Sequence, residues 1–256
     1  MNDERLFSRR TGRGSPVVFL GGCPTPWSVL QPVAAGIADS HETIEVALPG
    51  YGESPPLPGH YSVEAAHAAV EATLLAQGVR RCAIVGFSAG AYRALALAIR
   101  GVLDVTHVFS LAGLSGLDTE EATGFRGFAA ALRAGQDLRP LAAPRFFSAA
   151  FASAHPEAVR AAEGWQDAAP AEVIASELDA FAEARDLTPS LSALRCPVVA
   201  RVGSVDVATP PAKSEAIAKA CRSAKVEIVK GAGHALVYED IEGTILSLRR
   251  LLAAGS

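Results

Sequence analysis

The chain has 256 residues, of which half are hydrophobic and 20% are charged, and this balance excludes an intrinsically disordered protein. Its net charge of −4 leaves no basic excess to neutralise phosphates, so no nucleic-acid partner is expected. No stretch approaches the roughly 20 apolar residues that cross a bilayer, so no membrane partner is expected either. The cysteines are far apart and favour free thiols, hence a cytoplasmic protein: Cys23, Cys82, Cys196 and Cys221.

Short apolar runs that end in turn residues alternate with helical patterns along the chain. The predicted strands are Pro16–Leu20, Thr43–Leu48, Cys82–Val85, Thr106–Leu111, Pro197–Val202 and Lys225–Val229. The predicted helices are Val63–Gln77, Ala89–Arg100, Pro211–Ala220 and Ile241–Leu252. Such alternation predicts an α/β fold with a mostly parallel sheet flanked by helices. In these sheets ligands bind beyond the carboxyl ends of the strands, so the loops there are the first place to look for chemistry.

The stretch from Leu114 to Leu191 breaks this alternation because it holds no convincing strand. Residues 121–190 contain 21 alanines, which favour helices, and six of the ten phenylalanines. Those rings must be buried against something, and the mouth of the sheet is the nearest surface. The sequence therefore predicts a core made of residues 1–113 and 192–256, with residues 114–191 inserted as a helical cap. A set of ordinary packing helices is the alternative.

The sequence Gly86–Gly90 reads Gly-Phe-Ser-Ala-Gly and lies between a predicted strand and a predicted helix. In that setting a G-x-S-x-G motif places its serine on a sharp turn, with small residues required on both sides. The start of the helix also presents free N–H groups and the positive end of its dipole to developing negative charge. Ser88 is therefore the predicted nucleophile.

A serine nucleophile needs a general base and an acid that orients it. His234 follows a predicted strand within a glycine-rich loop, and Asp206 follows the strand before it. The order Ser88, Asp206, His234 is that of a known arrangement of catalytic triads. The alternatives are an exposed loop histidine and an aspartate that caps the helix after Pro210. Asp118 is a weaker candidate for the acid.

A tetrahedral oxyanion also needs hydrogen-bond donors. The backbone N–H of Ala89 follows the nucleophile, and a second donor is expected from the loop after the first predicted strand. Because Pro24 has no N–H, the sequence points to the backbone N–H of Cys23. A thiol nucleophile at Cys23 is the less supported alternative.

At this point the chain resembles the α/β-hydrolase superfamily, in its cap-containing, esterase-like branch with a serine nucleophile. The resemblance runs from Pro16 to the C-terminus, and its motifs are Gly21–Pro24, Leu48–Ser54, the Gly86–Gly90 turn, the Asp206 loop and Gly231–His234. It implies an eight-stranded type of sheet with a helical cap after the sixth strand. The chain departs from the family pattern at Gly21, where histidine is usual, at Leu48, where aspartate is common, and at Ala89, where many esterases carry methionine. Its N-terminal segment is also short, so a truncated first antiparallel strand is expected.

The predicted function is hydrolysis of a carboxylic ester, lactone or thioester through an acyl-enzyme at Ser88. Relatives that use an aspartate nucleophile are excluded by that serine. The expected partner is a small to medium hydrophobic acyl substrate, with Trp27, Phe125 and Phe128 as candidate pocket residues, although core packing explains each equally well. No cofactor and no metal are expected. The alternatives are a carbon–carbon bond hydrolase, a perhydrolase or a non-hydrolytic biosynthetic enzyme with the same triad, and a ligand receptor with slow turnover.

Overall fold

The computed structural model describes residues 5–254, which form a seven-stranded sheet with helices on both faces. The strands are β1 (Ser8–Thr11), β2 (Pro16–Leu20), β3 (Glu42–Val46), β4 (Arg81–Phe87), β5 (Asp104–Leu111), β6 (Val198–Gly203) and β7 (Ala224–Val229). Their order across the sheet is β1-β3-β2-β4-β5-β6-β7. The edge strand β1 pairs antiparallel with β3, and every other pair is parallel. The predicted α/β fold is therefore confirmed.

The helices connect these strands and cover the sheet. They are α1 (Gln31–Ala35), α2 (Val63–Ala76), α3 (Ala89–Arg100), α4 (Thr119–Arg133), α5 (Ala142–Phe146), α6 (Ala149–Ala154), α7 (Pro156–Glu163), α8 (Ala171–Ala182), α9 (Pro211–Ala220), α10 (Leu236–Glu239) and α11 (Ile241–Ala253).

Alternate residues of β2 enter the two apolar clusters: Val17 and Phe19 pack on one side of the sheet, Val18 and Leu20 on the other. Within residues 5–254, no helix is long and apolar enough to cross a membrane.

The sheet has one strand fewer than the resemblance implies. Residues 5–15 hold a single four-residue strand before β2, and the eight-stranded expectation is wrong for the described part of the chain. The sequence gives no apolar signal for β1, whose residues read Ser-Arg-Arg-Thr. Its side chains pair across the edge instead, with Arg9 2.7 Å from the carboxylate of Glu45 on β3.

The chain between β5 and β6 is helical and contains no strand. Helices α4 to α8 lie there, and we call them the inserted helices. Helix α4 begins with a capping box, in which Asp118 accepts from the backbone N–H of Glu121 and Glu121 accepts from that of Asp118. This capping role explains Asp118 without any catalytic function. The boundaries 114 and 191 of a separate cap remain a prediction.

Candidate active site

Ser88 lies on a strained turn between β4 and α3. Its backbone angles are φ 55° and ψ −121°, a region that residues other than glycine rarely adopt. The Ser88 N–H donates to the carbonyl of Leu111 over 2.9 Å, which ties the turn to the end of β5. The strain therefore persists because the surrounding sheet holds the turn in place, with the hydroxyl beyond the carboxyl end of β4.

The two glycines of the Gly86–Gly90 motif are required by close backbone contacts. A Cβ atom added at Gly86 would overlap the carbonyl oxygen of Gly90. A Cβ atom added at Gly90 would overlap the carbonyl oxygens of Leu20 and Gly21 at the end of β2. The turn and the β2 strand end are thus packed backbone against backbone, and this is the physical reason for the motif's spacing.

His234 and Asp206 form a buried hydrogen-bonded pair. His234 Nδ1 lies 2.8 Å from Asp206 Oδ2, and both side chains are almost completely buried. The other carboxylate oxygen of Asp206 accepts from the backbone N–H groups of Ala208 and Thr209, each over 2.8 Å. The carboxylate is therefore fixed in orientation, and it holds the imidazole with Nε2 directed away from it.

Thr209 is a residue of this cluster that sequence reasoning missed. Its hydroxyl oxygen lies 2.9 Å from Asp206 Oδ2, 3.1 Å from His234 Nδ1 and 2.8 Å from the carbonyl oxygen of Ala112. Having one proton, the hydroxyl donates to either Asp206 Oδ2 or the carbonyl of Ala112 at a time, and the role of His234 Nδ1 depends on the tautomer of the ring. The available signal was its position three residues after Asp206, where a threonine N–H commonly closes a turn on the aspartate.

Ser88 and His234 line the same cavity at the carboxyl edge of the sheet. This cavity, which we call the catalytic cavity, has a volume of about 900 Å³ including its open mouth. The His234 ring packs between Phe87, with ring centroids 5.1 Å apart, and Phe146, at 5.8 Å. Within the described residues no hydrogen bond joins the Ser88 hydroxyl to the His234 ring.

Cys23 and Ala89, the two predicted oxyanion residues, also line the catalytic cavity. Their loops are in close contact, since a Cβ atom at Gly22 would lie 3.0 Å from the Cβ of Ser88. The structure therefore brings the β2 loop and the start of α3 to the same side of Ser88. Burial, followed by the negative charge of Glu177, raises the pKa of the Cys23 thiol well above its ordinary value, so this thiol is protonated at neutral pH.

A fully buried ion pair lies behind the β2 loop. Arg93 of α3 and Glu177 of α8 have no solvent-exposed side-chain surface, and the guanidinium donates to the carboxylate. The hydroxyl of Tyr51 donates to the same carboxylate and lies 3.8 Å from the sulfur of Cys23. Within residues 5–254, Arg93 Nε and Nη1 have no hydrogen-bond partner. Its guanidinium instead stacks 4.6 Å from the ring of Phe181 on α8.

Two of the three predicted pocket residues line the catalytic cavity. Phe125 and Phe128 of α4 do so, and both also line a second cavity of about 640 Å³ among the inserted helices, which we call the helical cavity. The structure places Trp27 elsewhere, so this prediction needs correction. Its ring meets Phe7 edge-on at 5.1 Å and lies 4.9 Å from the guanidinium carbon of Arg9. The indole lines neither of the two cavities.

Comparison with known proteins agrees with this architecture. The model of the alpha/beta hydrolase family matches residues 17–244. The chain belongs to the α/β hydrolase family, and the sequence-based prediction of an enzyme of this fold is confirmed. No curated protein matches the chain.

Solved structures of three hydrolytic enzymes illustrate the similarity. A thermophilic esterase from Thermogutta terrifontis is 26% identical, with 97% of this chain and 93% of that chain covered and a TM-score of 0.90. An enol-lactonase from Burkholderia xenovorans LB400 is 21% identical, with 97% and 96% covered and a TM-score of 0.89. An esterase from Exiguobacterium antarcticum is 17% identical, with 97% and 96% covered and a TM-score of 0.85.

Proposed function

We propose that this enzyme hydrolyses carboxylic esters, lactones or thioesters through an acyl-enzyme at Ser88. The observation that carries the proposal is the placement of three groups around one cavity. A serine on a strained turn, the buried His234–Asp206 pair and the two backbone segments of Cys23 and Ala89 all reach it. The resemblance to an esterase and to an enol-lactonase supports the same class of bond.

In the proposed reaction the Ser88 oxygen attacks the acyl carbon while its proton passes to Nε2 of His234. Asp206 keeps the imidazole in the required tautomer and stabilises its positive charge. The oxyanion accepts hydrogen bonds from the N–H groups of Cys23 and Ala89. His234 returns the proton to the leaving oxygen or sulfur, and the bond to the acyl carbon breaks. Water, deprotonated by His234, then attacks the acyl carbon. His234 returns that proton to the Ser88 oxygen as the acyl–oxygen bond breaks, which releases the acid and restores the Ser88 hydroxyl.

Labelling by a fluorophosphonate probe tests the nucleophile directly. We expect rapid stoichiometric modification of Ser88, located by mass spectrometry, because the probe needs an activated serine and an oxyanion site but no particular substrate. His234→Ala should abolish labelling within the same time, and Asp206→Asn should slow it, since the carboxylate acts through the imidazole. A folded protein that resists the probe would instead favour the non-hydrolytic or receptor alternatives.

Replacing Cys23 by alanine distinguishes a backbone role from a thiol nucleophile. The variant keeps the N–H group that binds the oxyanion, so kcat/KM for ester hydrolysis should stay within about fivefold of the wild type. Because the pKa of the thiol is raised, alkylation by iodoacetamide at Cys23 should be slow at pH 7 and should accelerate well above pH 9. Peptide mapping after timed alkylation measures this profile.

Two outcomes would contradict the backbone role. One is a Cys23→Ala variant that retains its thermal stability but loses hydrolysis by more than 100-fold. The other is a neutral-pH alkylation of Cys23 that is as fast as that of free cysteine and is accompanied by loss of activity. The first result would assign the chemistry to the thiol, and the second would show that its pKa is not raised.

A further inference from the structure

Arg145, beside the catalytic cavity, is a cation that has no ion-pair partner among residues 5–254. It lies on α5, directly before Phe146, whose ring packs on His234. Its side chain lines the catalytic cavity and the helical cavity at the point where their linings overlap. Within residues 5–254 it makes no ion pair and no hydrogen bond, and its close contact is with the ring of Phe128, 5.2 Å from the guanidinium carbon.

The other long cations that line these cavities are already neutralised. Lys213 lies 2.5 Å from the carboxylate of Glu121, and Arg139 lies 2.9 Å from that of Asp167. Glu163 lines the helical cavity but lies beyond ion-pair distance of Arg145. Among the described arginines and lysines that line the two cavities, Arg145 alone has no ion-pair partner.

A half-buried arginine without a partner is unfavourable because the guanidinium loses water without gaining acceptors. Burial lowers the pKa of Arg145, and the charge of nearby Asp206 partly offsets this. The group still carries its charge at neutral pH, since an arginine pKa starts so high. An anion bound in the cavity would replace the hydrogen bonds and the charge stabilisation that the guanidinium loses when it is removed from water.

We propose that Arg145 binds a carboxylate on the substrate, so that the enzyme acts on esters or lactones that carry a free acid group. This inference rests on the proposed hydrolysis at Ser88 and narrows its substrate class. The planar guanidinium suits a carboxylate, which accepts two parallel N–H bonds from it. A phosphate monoester fits the site less well than a carboxylate. It carries nearly two negative charges at neutral pH, and no second unpaired cation lines the two cavities among residues 5–254. The phenylalanines Phe125, Phe128 and Phe146 then enclose the apolar part of the same molecule.

Two pairs of substrates test the inference, one for each side of the ester bond. The first pair is the 4-nitrophenyl monoester of adipic acid and the 4-nitrophenyl ester of adipamic acid, its neutral amide. The second is 3-carboxyphenyl butanoate and 3-carbamoylphenyl butanoate. Within a pair the two compounds have the same shape and differ in charge. We expect the wild type to prefer the acid of at least one pair by about 10- to 100-fold in kcat/KM.

Variants of Arg145 identify the group responsible for this preference. Arg145→Gln should bring the ratio of acid to amide close to one, because it removes the guanidinium that distinguishes the carboxylate from the amide. Arg145→Lys should retain part of the preference, since it keeps the charge but not the bidentate geometry. The matched control is Arg160→Gln on α7, an exposed arginine outside both cavities that alters the net charge equally. Its ratio should equal that of the wild type.

The outcomes separate this inference from the proposed function. Hydrolysis without preference in either pair, or a preference unchanged in Arg145→Gln, overturns the carboxylate site and leaves the hydrolase intact. If no compound is hydrolysed, calorimetry with Ser88→Ala decides the matter. Tighter binding of the acids than of the amides by about tenfold or more, lost in Ser88→Ala/Arg145→Gln, supports the site without the reaction. Equal binding, or no binding, overturns it.

Discussion

Replacing Ser88 by alanine is expected to lower kcat for ester hydrolysis by about 10⁴- to 10⁶-fold, because no acyl-enzyme can form. The double variant Ser88→Ala/His234→Ala should fall no further. A base without a nucleophile contributes little, and residues that act as one unit have non-additive effects. Initial rates with an activated ester, measured at enzyme concentrations high enough to detect the residual activity, check both expectations.

Ser223→Ala provides the matched control for this loss. Ser223 is an exposed serine just before β7, at the end of the sheet opposite the catalytic cavity. Its replacement should leave kcat unchanged, and the melting temperatures of Ser223→Ala and Ser88→Ala should lie within a few degrees of the wild type. A Ser88→Ala variant that keeps a tenth of its activity would remove the serine from the mechanism. Additive losses in the double variant would mean that His234 acts independently of Ser88.

Loss of the buried Arg93–Glu177 pair should lower the stability of the protein far more than loss of an exposed ion pair. Glu177→Gln preserves the shape of the side chain and an acceptor for Tyr51, but it leaves the charge of Arg93 uncompensated in the interior. Such a change is expected to lower the free energy of unfolding by about 3–5 kcal/mol. At about 2–4 °C per kcal/mol for a chain of this size, the melting temperature should fall by roughly 6–20 °C. Thermal unfolding followed by circular dichroism measures it.

Helix α8 itself supplies the control for this prediction. Glu172 lies on the same helix and pairs with Arg133, but its side chain is 67% exposed against 0% for Glu177. Glu172→Gln should therefore shift the melting temperature by no more than about 2 °C. Adding Arg93→Met to Glu177→Gln should recover at least half of the lost stability, since it removes the unpaired charge. Equal shifts for the two glutamate variants, or no recovery, would show that the buried charges do not govern stability.

The parallel part of the sheet could be predicted from the sequence because its strands are buried on both faces. Runs such as Pro16–Leu20 are then almost continuously apolar, and turn residues mark where they end. The edge strand Ser8–Thr11 escaped prediction for the opposite reason. It is polar on both sides, and its pairing with β3 depends on a cross-strand contact, Arg9 with Glu45, that spans 36 positions.

The candidate site divides along similar lines. Ser88, Asp206 and His234 could be proposed because each follows a strand, and strand ends of a parallel sheet meet at one edge. Arg145 and the Arg93–Glu177 pair carry no local signal, since their significance depends on which side chains lie beside them after folding. Trp27 was misplaced because loop position alone does not say which way a ring points, and here the N-terminal segment covers it.

The contact between α3 and α8 also determines which parts of this molecule can be exchanged with relatives. Helix α3 carries Arg93 a few residues after Ser88, and α8 carries Glu177 among the inserted helices. A chimera that grafts inserted helices without a carboxylate at this position onto the present sheet would enclose a lone guanidinium. Arg93 lies before both junctions of such a graft, at β5 and β6. The exchange of α8 therefore has to be accompanied by a replacement of Arg93, although 84 positions separate the two charged residues.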